Sequence, residues 1–242
     1  MKKVVLFLIF GGLLLAAPQI PTVNLSITAP HSPKQLVTVL NIAILMTFLV
    51  LAPSIILVMT SFVRLLVVFG FLRQALGTPQ SPPTTLLVSL ALVLTFFIME
   101  PYAKQAYNNG IKPYMENKIG YEQAFDRAVL PFKRFMLKNT REKDLALFFR
   151  IRHLPNPKTI NDVPLTILVP AFMISELKTA FEIGFLIFLP FLIIDMVVSS
   201  ILMSLGMMML PPVMISLPFK ILIFVLVDGW NLIVMGLVQS FR

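Results

Sequence analysis

Six ionisable residues, Glu176, Lys178, Glu182, Asp195, Lys220 and Asp228, stand inside sequence that is otherwise almost wholly apolar. An ionised side chain facing hydrocarbon costs ~3 kcal/mol or more. Such groups must pair within the subunit, pair with a neighbour, or line a water-filled path. Lys178 and Glu182 are four apart and share a helix face, which makes them a candidate pair. Lys220 and Asp228 are eight apart, about two helical turns, and lie on similar faces. Too few opposite charges lie within local reach for all six. The spacing therefore favours pairing between subunits of an assembly, with pairing inside one subunit as the alternative.

Catalysis finds little support. The chain has no cysteine, so thiolate nucleophiles, thiolate metal sites and disulfides are excluded. Its two histidines, His31 and His153, lie in separate regions. No His-Glu-x-x-His motif occurs, and no glycine loop precedes Lys-Ser or Lys-Thr. Glu176 and Glu182 are six apart, which places them roughly 120° from one another on a helix, so they do not form an acid–base pair. The expectation is a protein that is not an enzyme and holds no metal or cofactor. Met207, Met208 and Met209 form a run beside Leu210-Pro211-Pro212. Methionine is flexible and fills irregular gaps. On the residues alone, gap-filling at a helix end comes first and a deformable seal second.

The elements that carry these residues are expected to be all α-helical, with long apolar hairpins, kinked helices and a small polar helical domain. Residues 1–17 read as a secretory signal: Lys2 and Lys3, a short apolar stretch, then Ala16-Ala17. Residues 18–34, rich in Pro, Ser and Thr, suggest an extended lead-in. Residues 35–99 read as an apolar helical hairpin. Residues 35–63 carry no charge, and Pro53 within them is expected to kink or divide the helix. Arg64 and Arg73 follow with no acid nearby, and a breaker cluster fills 77–83. A second uncharged run is expected to end at Glu100-Pro101. Residues 100–163 read as two or three amphipathic helices, with Ala124, Val129, Phe132, Phe135, Met136, Leu145, Phe148 and Phe149 inward and breaks at Asn139-Thr140 and 154–157. Residues 164–242 read as two helices joined by a tight turn at Pro211-Pro212.

Composition agrees with a membrane setting. Of 242 residues, 57% are hydrophobic and only 13% charged, where a soluble domain carries about 25%. A soluble enzyme and a disordered chain are both disfavoured. The net charge of +9 does not mark a nucleic-acid binder, because 19 of the 31 charges lie between Glu100 and Asp162 with both signs mixed. A signal followed by two spans puts Arg64 and Arg73 on the cytoplasmic side and 100–163 outside. A transporter or channel subunit also suits embedded charges and broken helices, but no internal repeat supports it.

The run Pro170-Ala171-Phe172-Met173-Ile174-Ser175-Glu176-Leu177-Lys178 continuing to Phe185 resembles a signature of the FliP/SctR family, export-gate proteins of type III secretion. Pro190-Phe191-Leu192-Ile193-Ile194-Asp195, Met207-Met208-Met209-Leu210-Pro211-Pro212, Leu217-Pro218-Phe219-Lys220 and Val227-Asp228-Gly229-Trp230 are similar to the rest of it. Arg73-Gln74-Ala75-Leu76-Gly77-Thr78-Pro79-Gln80-Ser81-Pro82-Pro83 looks like the flagellar branch rather than the injectisome branch. Thr84-Thr85 and Glu182 depart from the common pattern. The resemblance implies a non-enzymatic, channel-forming subunit of the bacterial inner membrane at the flagellar basal body, with 100–163 periplasmic. It implies several copies assembled with FliQ and FliR, alongside other export-apparatus proteins, passing unfolded substrates. Part of the apolar sequence is then subunit interface rather than lipid-facing. It further implies a gasket at Met207, Met208 and Met209, and subunit contacts or channel lining at Glu176, Lys178, Asp195, Lys220 and Asp228.

Overall fold

The computed structural model describes residues 33–155, 157, 159–160, 162–207 and 210–241. The expected signal at 1–17 and the lead-in up to residue 32 lie outside them. Every regular element among the described residues is helical. The chain divides into two units, one ending at Leu49 and one running from Val50.

Helix α1 (Pro33–Val58) begins within the expected lead-in and runs through Pro53 without interruption. The break falls instead at 59–61. There both the backbone N–H of Thr60, at 3.2 Å, and its Oγ1, at 2.6 Å, donate to the Leu57 carbonyl and close the helix end. The first unit's side chains from 36 to 49 are exposed and largely apolar.

In the second unit, α2 (Phe62–Ala75) follows the break, and the turn at 76–83 leads to α3 (Thr84–Ala106). The expected stop at Glu100-Pro101 does not occur. A proline removes one donor only, and packing holds the helix across it: Tyr102 meets Phe135 edge-on at 5.0 Å. The helix continues through a widened turn, Tyr107–Ile111, into α4 (Lys112–Met115).

Helices α5 (Tyr121–Lys138) and α6 (Glu142–Ile151) are the amphipathic pair, burying Ala124, Phe135, Met136 and Phe149. They part at Asn139-Thr140. Thr140 Oγ1 donates to the Met136 carbonyl at 2.7 Å and Asn139 Nδ2 to the Phe135 carbonyl at 2.9 Å, so these short polar side chains close the end of α5. Phe135 and Met136 share one core with Leu65 and Phe69 of α2 and with Leu168 and Phe172 of α7.

Helix α7 (Leu165–Ser204) has 40 residues. At 1.5 Å per residue it is about 60 Å long, twice a hydrocarbon thickness of about 30 Å. Its first half packs on α2 and α6 and carries most of its buried residues. Its second half exposes Phe185, Leu186, Ile193 and Met196. After the segment 205–211 come α8 (Pro212–Leu226) and α9 (Gly229–Gln239), bent by 65° from one another. The sequence reading has one helix there; Asp228, in the left-handed region at φ 51°, divides it in two. Three of the described helices are long and apolar enough to cross a membrane, or up to four if the bent pair is one span.

Candidate functional site

Glu176, Glu182, Asp195 and Lys220 of the apolar helices are distributed over three clusters. The deepest is centred on Arg64 of α2, which is 3% exposed, and Glu176 of α7, which is fully buried. Arg64 Nε donates to Glu176 Oε2 at 2.8 Å, and Nη2 donates to Oε1 of the same carboxylate. This two-pronged fit matches the planar guanidinium to the planar carboxylate. Nη1 donates to the Ser240 carbonyl at 3.1 Å and to Ser240 Oγ at 3.0 Å. Nη2 also reaches Asn139 Oδ1 at 3.4 Å. The guanidinium carbon stands 3.8 Å over the Phe241 ring. One arginine thus ties together α2, the end of α5, α7 and the segment after α9. Arg73 stands in the last turn of α2, where its Nη1 donates to Thr84 Oγ1 at 2.9 Å.

The second cluster joins α7 to α8. Lys220 Nζ donates to Asp195 Oδ2 at 2.7 Å and to the Ala75 carbonyl at 3.3 Å. Ser216 Oγ donates to Asp195 Oδ1 at 2.5 Å. Ser216 and Lys220 are four apart on α8, so both meet the one carboxylate. Lys220 is 3% exposed, whereas the Asp195 side chain keeps 34% of its surface open.

The third cluster fastens α6 to α7. The backbone N–H of Arg141 donates to Ser175 Oγ at 3.0 Å, and Ser175 Oγ donates to Asp144 Oδ2 at 2.7 Å. Arg141 Nη2 donates to Glu182 Oε2 at 2.6 Å. Glu182 is thus taken by Arg141, not by Lys178. Lys178 is exposed and lies beside Lys143 and Arg141. Asp228 is exposed at the α8–α9 break and accepts from Asn231 Nδ2 at 3.1 Å, so it does not meet Lys220.

Within the chain, then, Glu176, Glu182, Asp195 and Lys220 have partners brought from 25 to 112 residues away. The premise that opposite charges are out of reach does not hold for them. Arg64, Arg141, Ser175, Ser216 and Ser240 complete the clusters; none of them was nominated from the sequence as a contact or lining residue. Arg64 carried a usable signal: it interrupts an apolar run, as the six nominated charges do. Met207 is exposed at the segment between α7 and α8, with Pro211 just before α8 and Pro212 as its first residue; Met208 and Met209 lie outside the described residues.

Outside the apolar helices, two groups among the described residues depart from their ordinary titration. Lys118, 2.6 Å from Glu116, holds that carboxyl below its usual range by hydrogen bonding and charge. Burial lowers Lys133, opposed by Asp162 and Asp126. Neither belongs to the clusters above. Among the described residues no group of three or more His, Asp or Glu could hold a metal. The clusters are struts: each fixes one helix against another.

A model of the FliP family matches residues 45–237. The chain is 53% identical over 217 residues to the flagellar biosynthetic protein FliP of Bacillus subtilis (strain 168), covering 90% of this chain and 98% of that protein. To the protein of the same name from Caulobacter vibrioides it is 56% identical over 198 residues, covering 82% and 74%. To that of Treponema denticola it is 42% identical over 270 residues, covering both chains in full.

Proposed function

The chain belongs to the FliP family, and on that premise we propose that it is a channel-forming subunit of the flagellar type III protein export gate. In this reading several copies assemble with FliQ and FliR in the bacterial inner membrane at the flagellar basal body. They act with the other export-apparatus proteins and pass unfolded flagellar proteins. Residues 100–163 lie on the periplasmic side. The injectisome gate is the second reading, and the flagellar names of the relatives favour the first.

One observation supports a gate most strongly. Beyond the Asp195–Lys220 rung, α7 and α8 run on to the segment 205–211 with broad apolar faces that the described residues leave open. Ile201, Met203, Leu205, Val213 and Met214 are all exposed there. Such faces call for cover by lipid or by other subunits. The roles follow from exposure. Lys178 and Asp228 reach outward as contacts between subunits. Asp195, half-open, is a contact or lines the channel. Glu176 and Lys220 serve those contacts from beneath by fixing the helices that carry them. Met207, Met208 and Met209 form the gasket. Thioether side chains make non-directional contacts and repack easily, so a ring of them closes when empty and yields to any passing sequence.

The test is to replace all three methionines with Ala and measure ion leakage in resting cells. A gasket predicts raised conductance. Wild-type conductance with the assembled complex intact contradicts it.

A further inference from the structure

We infer that Ser240-Phe241 is a latch that closes over the Arg64–Glu176 pair and fixes the far end of α9, leaving Asp228 as the joint about which α9 swings when the latch opens. This stands on the folded chain alone and requires no gate function.

The first support is chemical fit. Arg64 spends Nε and Nη2 on Glu176. Among the described residues, Nη1 finds its acceptors at Ser240, at the carbonyl and at Oγ. Ser240 Oγ in turn donates to the Leu237 carbonyl at 2.7 Å. Without this residue, donors of a buried cation are left unmet, which is costly in a low-dielectric interior. Phe241, 4% exposed, fills the space between two flat surfaces. The Arg64 guanidinium carbon lies 3.8 Å from its ring centroid, and Phe135 stacks on it at 5.9 Å with an interplanar angle of 22°. The ring face attracts the cation, and the attraction is stronger for being desolvated.

The second support is the placing of α9. It has 11 residues, too few for a helix to stand alone. Its near end is pinned by Trp230, whose ring lies 5.6 Å from Phe224 and 6.5 Å from Phe69. Its outer face, with Leu232 and Met235, is exposed, so only one side docks. Leu237 and Phe241 are the buried contacts near its far end. Asp228 at its start already holds a left-handed backbone between two helices 65° apart, so rotation there breaks no helical turn. Release of Ser240-Phe241 removes the far anchor and leaves the near one.

The chain has no cysteine, so single thiols report cleanly. The experiment uses the full chain in isolated membranes and follows maleimide labelling of Leu237→Cys, with and without Phe241→Ala. Leu168→Cys, in the fully buried part of α7, is the control. A latch predicts that Phe241→Ala speeds labelling at position 237 by about 10-fold or more and leaves position 168 protected. Phe241→Trp, which keeps a ring face for Arg64, restores protection at 237. Unchanged labelling at 237 overturns the latch. Equal opening of 168 and 237 also overturns it, because Phe241 is then ordinary core.

Discussion

Glu176→Gln is the sharpest perturbation of the buried ion pair. The variant keeps the shape of the side chain and one carbonyl acceptor for Arg64. It removes the second charged oxygen and leaves the guanidinium, 3% exposed, without a counter-charge. Breaking one side of a buried pair costs about 3–5 kcal/mol. The retained acceptor, Ser240, Asn139 and the Phe241 ring still hold Arg64, so the expected loss is at the lower end, about 3 kcal/mol. For a chain of this size each kcal/mol shifts the melting temperature by about 2–4 °C, giving a drop of about 6–12 °C. Arg64→Met should cost as much, since it strands a carboxylate. The double variant Arg64→Met/Glu176→Gln buries no charge and should recover part of the loss. Thermal melts of the purified chain and its three variants form a complete cycle. A coupling of about 2 kcal/mol or more is expected. A Glu176→Gln melt within 2 °C of wild type, or a double variant at the simple sum of the two losses, refutes the reasoning.

Three further outcomes follow from the same contacts. Lys220→Glu sets a second carboxylate against Asp195, 2.7 Å from the lost ammonium, so steady-state levels of folded chain should fall; Asp195→Lys/Lys220→Asp should restore part of the loss, as read by immunoblotting of membranes. Gly110→Ala places a Cβ 2.7 Å from the Ala124 carbonyl oxygen and the Ala128 nitrogen, backbone atoms that cannot step aside, so it should cost about 1–3 kcal/mol, while Gly70→Ala, with nothing within 4 Å, should be neutral or stabilising by up to about 1 kcal/mol in the same melt. Glu182→Gln loses an ion pair whose carboxylate is 56% exposed, so it should shift stability by less than about 1 kcal/mol and weaken further in its effect as salt is raised.

Local signals in the sequence were those with a local physical cause. The breaker cluster at 77–83 forms a turn because proline and glycine act on their own backbone. The inward faces of α5 and α6 follow from apolar spacing, and Ala124, Phe135, Met136 and Phe149 are indeed buried. Proline was over-read as a stop: Pro101 and Pro53 both fall inside undivided helices. At Pro101 the Tyr102–Phe135 contact packs the helix across the missing donor. The break at Asp228 was legible but missed: Asp228-Gly229 is a turn-marking dipeptide. The charge clusters were half legible: burial of Glu176 and Lys220 follows from their apolar setting, but Arg64 lies 112 residues from Glu176, and only the fold closes that gap.

The central claim is that the open apolar faces of α7 and α8 are subunit interface in an export gate. The most direct measurement is purification of the chain from native membranes, followed by the mass of the intact complex. An export gate yields several copies of this chain together with two small apolar partners. A lone chain, stable in mild detergent and free of partners, contradicts it.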